Sequence, residues 1–111
     1  MNKNDHHIIT LCGSSRQKED WEFYRRKLAL EGNVVLAIDV YIGLETAYYN
    51  DDTTTKRLLM SLHRQKIRMA QEICFIRKPN GQLGKHTTSE LIYAKKLKKQ
   101  ITFFVSTLKV S

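Results

Sequence analysis

The fold turns on residues 7–16, HIITLCGSSR. Ile8, Ile9, Thr10 and Leu11 make a short, continuous run rich in β-branched side chains, and Gly13-Ser14-Ser15 ends it. That pattern predicts a buried strand over 7–12 that runs into a tight turn. Downstream, Trp21, Tyr24 and Leu28 recur at helical spacing within 18–31, and Gly32 follows as a helix stop. Residues 33–40, NVVLAIDV, are again continuous and apolar, which predicts a second strand. Unbroken runs, rather than alternating ones, suit a parallel sheet covered on both faces.

The rest of the chain repeats this alternation. Residues 41–54 have no clear period and are expected to form a long loop of the functional or mobile kind. A helix is predicted over 55–70, with Leu59, Leu62, Met69 and Ala70 among its apolar positions. A third strand, EICFIR, occupies 72–77, and the turn-rich KPNGQLGK follows it. A helix over 87–98 places Leu91, Ala94 and Leu97 on one face, and ITFFVS at 101–106 closes as a fourth strand. The order βαβαβαβ predicts one α/β domain over 1–111: a small flavodoxin/Rossmann-like three-layer domain with a four-stranded parallel sheet of order 2-1-3-4. Its switch point then falls between the first and third strands, where open α/β sheets bind ligands at the strand carboxyl ends. Two loops meet there, Gly13–Lys18 and Lys78–His86.

Composition narrows the function classes. With 111 residues, 41% hydrophobic and 27% charged, the chain can bury a core without disulfide or metal. No run approaches the length of a membrane span, and MNKNDHHIITL is too short in apolar residues for a signal peptide. A cytoplasmic protein that does not bind membranes is therefore expected. Cys12 and Cys74 sit in apolar runs and read as buried small hydrophobes. They show no metal-ligand spacing with His6, His7, His63 or His86, so no metal and no cofactor are expected. The net charge is +8, and much of the positive charge lies in KRLLMSLHRQKIRMAQ and YAKKLKKQ. It reads first as the solvated face of amphipathic helices. A polyanion-binding patch using Lys95, Lys96, Lys98 and Lys99 is the competing reading, although no nucleic-acid motif is present. The charge also suits a small phosphorylated ligand.

The two loops carry the candidate site. In the first, Gly13 permits a sharp turn, Ser14 and Ser15 offer hydroxyls beside backbone N–H groups, and Arg16 supplies a planar fork for phosphate or carboxylate. Serines in such a turn equally cap the following helix. In the second, Thr87 followed by Glu90 is a capping-box spacing, so Glu90 could simply satisfy the helix start. Alternatively Glu90, one turn into the helix, faces a ligand; a carboxylate there can attack an anomeric carbon. His86 is a candidate proton donor to a leaving base. His63, on a helix beside Arg64 and Lys66, reads as a surface or helix-face residue ahead of a catalytic one, and Asp39 as a turn or cap residue. Tyr41, Tyr48 and Tyr49 suit either stacking on a base or a dimer interface.

The segments ITLCGSSR, LHRQKIRMAQEICFI and GKHTTSELIYAKKLKKQITFF, with Trp21 between the first two, resemble the nucleoside 2-deoxyribosyltransferase-like proteins. They also resemble the related deoxynucleoside 5'-monophosphate N-glycosidases. The resemblance runs in order along nearly the whole chain, and Glu90-Leu91-Ile92-Tyr93-Ala94 is its most specific piece. It implies that Glu90 is the nucleophile taking the deoxyribosyl group. It implies phosphate or sugar contacts for Gly13, Ser14, Ser15 and Arg16; Gly84 and Thr87, in the second loop beside Glu90, are further candidate substrate contacts. The implied substrate is a small-molecule nucleoside or nucleotide, the reaction a transfer or a hydrolysis, and the assembly a homodimer. The chain has Gly84 where many members have an aspartate, Gln71-Glu72 where another is common, and Ile92 where glycine often stands. Those differences suit the alternative function, a non-catalytic nucleotide-binding sensor or sponge on the same fold.

Overall fold

Strand β1, Ile8–Cys12, lies at the centre of the sheet, and its alternating side chains divide between two cores. In the computed structural model, residues 5–14, 17–37 and 53–107 are described, the side chains of residues 53, 55 and 56 excepted. Ser15, Arg16, Asp39, Tyr41, Tyr48 and Tyr49 lie outside the described residues. So do the last three residues of the expected second strand and most of the 41–54 loop. The chain continues through α1 (Lys18–Leu30), β2 (Val34–Ala37), α2 (Thr53–Met69), β3 (Glu72–Ile76), α3 (Lys85–Lys96) and β4 (Gln100–Phe104).

The sheet is four-stranded, in the order β2-β1-β3-β4, and every pairing is parallel. This is the expected α/β architecture and strand order. Parallel crossovers are right-handed, so the reversal of direction after β2 sends helices to opposite faces. Accordingly Ile9, Leu11, Cys74 and Ile76 pack against Trp21, Tyr24 and Leu28 of α1. Cys12, Ile73 and Phe75 pack on the other face against Ile67 of α2, Ala70 and Ala94 of α3. Among the described residues, no helix is long and apolar enough to cross a membrane.

Local chemistry sets the helix ends. Helix α1 stops where Gly32 takes φ +94° and its N–H reaches the Ala29 carbonyl at 3.0 Å, a left-handed exit that favours glycine. The carbonyl end of α2 is held by Lys99, whose Nζ donates to the carbonyls of Arg68 and Ala70 at 2.8 and 2.7 Å. Lys99 is thereby engaged within the fold rather than presented as part of a basic patch. Two sequence expectations need correction. Helix α3 starts at Lys85, two residues early, because the Gly84 carbonyl accepts both the N–H and the hydroxyl of Thr88, at 2.8 and 2.9 Å. Thr87 is therefore inside the first turn and buried, not an N-cap, and Leu97 lies beyond the helix. In α2 the inward stripe is Leu59, His63 and Ile67, continued by Ala70 just past the helix end, whereas Leu62 and Met69 are exposed.

Candidate active site

The carboxyl end of β1 and its loop are braced by Gln17. Its Oε1 accepts the Ser14 N–H at 3.1 Å, and its Nε2 donates to Asp20 Oδ2 and to the Arg77 carbonyl, both at 3.0 Å. Trp21 Nε1 donates to the Ser14 carbonyl at 2.9 Å. The Ser14 amide is thus turned into the loop's own framework. A Cβ on Gly13 would meet Ile76 Cβ at 3.4 Å and Trp21 at 3.6 Å, so the turn is packed tightly on β3. These contacts fix the position of Cys12, the last residue of β1.

The loop after β3 braces itself in a similar way. Arg77 Nη1 donates to the Gly81 carbonyl at 3.0 Å, and the Lys78 N–H to the Gln82 carbonyl at 2.9 Å. At the start of α3, a Cβ on Gly84 would lie 3.6 Å from Lys78 Nζ. A cation therefore flanks the position where the resembling family commonly has an acid. His86 is exposed on the first turn of α3, one helical turn before Glu90.

What these elements bring together is a cluster. His63 Nε2 lies 2.8 Å from Glu90 Oε2 and 3.3 Å from Cys12 Sγ. One donor atom from each of the three residues falls within 4.8 Å of the others. Cys12 adjoins Gly13, so the first loop and Glu90 meet through His63, as the switch-point topology anticipates. The reading of His63 as a surface residue is overturned: it is 2% exposed. Consecutive helix residues point about 100° apart, so the charges of Arg64 and Lys66 say little about residue 63. The usable signal is its place four residues from both Leu59 and Ile67, in the middle of the apolar stripe.

Hydrogen-bond logic sets the roles within the cluster. His63 Nδ1 is buried with no partner among the described residues. The tautomer with hydrogen on Nε2 satisfies the Glu90 contact and leaves only a lone pair at Nδ1. Glu90 lies in the second turn of α3, past the reach of the helix end's partial charge. Its oriented partner is the imidazole N–H, not the helix N-terminus. Burial, the Glu90 charge and Cys74 push the Cys12 thiol well above its ordinary pKa, so Cys12 remains a thiol at neutral pH.

The acidic position before β3 proves unrelated to this site. Glu72 opens β3, at the amino-terminal end of the strands and opposite the cluster, where it meets His7 Nε2 at 2.8 Å and the Thr102 hydroxyl. Gln71 Oε1 accepts the Ile8 N–H at 2.7 Å at that same end of the strands. An acid at position 71 would consequently not reach Glu90.

No protein-family model matches the chain, and no curated protein matches it in sequence. Among solved structures it is similar to one titled 2-desoxiribosyltransferase from Leishmania mexicana, with 19% identity and a TM-score of 0.61. The match covers 89% of this chain and 64% of that chain. At that identity the likeness concerns the fold, and the chain spans 64% of the length of the structure it matches.

Proposed function

We propose that the protein cleaves, or transfers the sugar across, the N-glycosidic bond of a 2'-deoxynucleoside or its 5'-monophosphate, with Glu90 as nucleophile. The observation that carries this reading is the Glu90 carboxylate held at 2.8 Å by the buried His63 at the switch point of the sheet. The fold likeness to a deoxyribosyltransferase supports it. With Oε2 oriented by His63, Oε1 is the oxygen that attacks C1'. The C1'–N bond breaks, its electron pair goes to the base, and His86 or solvent supplies the proton the base needs. Water or a second base then attacks C1' and frees Glu90 as a carboxylate. Ser14, with Ser15 and Arg16 beside it in sequence, would meet the sugar or phosphate end, and Gly84 and Lys78 the opposite side, with Thr87 buried behind them in the first turn of α3.

The test is chromatography of free base after incubation with deoxynucleosides and their 5'-monophosphates. Release from either class supports the reading; tight binding with no release assigns the sensor or sponge instead. His63 acts here as a positioning residue. His63→Ala is expected to lower kcat by roughly 10²-fold with a small change in KM. His63→Gln, which places an N–H donor near the lost Nε2, should recover part of that loss. Equal losses in the two variants would show that His63 serves packing alone.

A homodimer belongs to the same proposal. Leu58, Leu62 and Met69 leave an apolar stripe exposed on α2. Light scattering should then give about twice the 13.0 kDa chain mass, and the mass of a single chain would remove this element.

A further inference from the structure

We propose that Cys12, His63 and Glu90 form a binding site for a zinc-class divalent ion with its fourth position open. The ion would compete for the Glu90 carboxylate, a consequence that rests on the glycosyl-transfer reading above. The donors come from three separate elements, β1, α2 and α3, and converge in a buried place: Cys12 and His63 are at most 2% exposed. Sγ and Nε2 are 3.3 Å apart, Nε2 and Oε2 2.8 Å, and all three donors lie within 4.8 Å. In a tetrahedral centre with Zn–S near 2.3 Å and Zn–N or Zn–O near 2.0 Å, neighbouring donors stand about 3.3–3.6 Å apart. The sulfur–nitrogen pair, at 3.3 Å, needs to open by about 0.2 Å and the nitrogen–oxygen pair, at 2.8 Å, by about half an ångström, while the sulfur–oxygen pair, within 4.8 Å, settles at about 3.6 Å.

The donor chemistry selects the ion. Thiolate with imidazole favours zinc over magnesium or calcium, which require sets of oxygen ligands. A dication against one thiolate and one carboxylate is charge-neutral, as a buried place demands. On binding, the Cys12 S–H gives its proton to solvent and an S–Zn bond forms. His63 coordinates through Nε2, and its ring hydrogen moves to Nδ1. Glu90 exchanges the His63 hydrogen bond for an O–Zn bond. The Nδ1–H then lies buried without a partner among the described residues, which sets the affinity below that of a structural zinc centre. β1, α2 and α3 already pack together in the described fold without an ion, so loading is expected to be reversible.

Cobalt(II) is the probe, titrated into the chelator-treated full chain. The expected result is a thiolate-to-cobalt charge-transfer band that saturates at about one equivalent and is displaced by zinc. Cys12→Ser should abolish the band and Cys74→Ser should keep it. If Cys12→Ser fails to fold, Glu90→Gln replaces it as the test, with an affinity loss of at least about tenfold expected. A titration with no saturable band, a band that survives Cys12→Ser, or an unchanged affinity in Glu90→Gln overturns the proposal. Base release measured in chelator separates the two readings. Release without cobalt binding leaves Glu90 chemistry standing and removes the metal site, whereas cobalt binding without release does the reverse.

Discussion

Glu90→Gln is expected to lower the rate of base release by at least about 10³-fold while leaving the fold intact. The amide has the carboxylate's shape, and its oxygen can still accept from His63 Nε2, which sits 2.8 Å from Oε2 in the native chain. What it lacks is the negative charge and the nucleophilic oxygen. No core packing changes, so the thermal midpoint should stay within a few degrees. The rate follows from chromatography of the free base and the fold from circular dichroism on the same samples. A loss below about tenfold would mean that the carboxylate orients the substrate rather than bonding to C1'.

The largest stability effect is expected at Asp20. Its carboxylate is 0% exposed yet accepts four hydrogen bonds. Thr107 donates through its N–H and its hydroxyl at 2.6 Å each, Ser106 at 2.7 Å and Gln17 at 3.0 Å. Asp20 thereby ties the exit of β4 to the start of α1 and to the Gln17 brace. Asp20→Ala removes the acceptor and strands those donors, at a cost of about 2–3 kcal/mol and a midpoint lower by roughly 10 °C. The figure stays modest because Thr107, at the surface, can turn to water. Chemical denaturation at neutral pH checks it, and a cost below about 0.5 kcal/mol would contradict the bracing role.

The same residue sets a pH dependence. Burial raises the Asp20 pKa, but the hydrogen bonds from Thr107, Ser106 and Gln17 outweigh it, and the net value lies below the ordinary carboxylate range. The unfolded chain therefore takes up protons first, near pH 4. Asp20's contribution is complete above that point and is lost as pH falls through the folded-state value. Denaturation at successively lower pH should show a shallower decline in Asp20→Asn than in the native chain. Some decline should remain, since Glu72 is lowered in the same sense: burial raises it, and the Thr102 and His7 hydrogen bonds more than offset that.

The fold was legible because β1, β2, β3 and β4 each follow a continuous apolar or β-branched run, and crossover handedness leaves few arrangements. Glu90 was legible from its local Thr-x-x-Glu-Leu context, although that spacing also suggested a cap that Gly84 displaces. His63 was misread because its charged sequence neighbours masked a stripe position that only helical periodicity reveals. The Gln17 and Asp20 network could not be read at all. Its Ser14–Gln17–Asp20 links are local, but the partners that give it its bracing role, Arg77, Ser106 and Thr107, lie 60 to 87 residues away, and no local pattern encodes a contact over that distance. The meeting of Cys12 with His63, 51 residues apart, is of the same kind.

Acid quenching during turnover, followed by peptide mass spectrometry, tests most directly whether Glu90, held by His63, is the nucleophile. The expected result is a deoxyribosyl adduct on the peptide bearing Glu90, absent in Glu90→Gln and less abundant in His63→Ala. Base release with Glu90 unmodified, or an adduct on another residue, would contradict it.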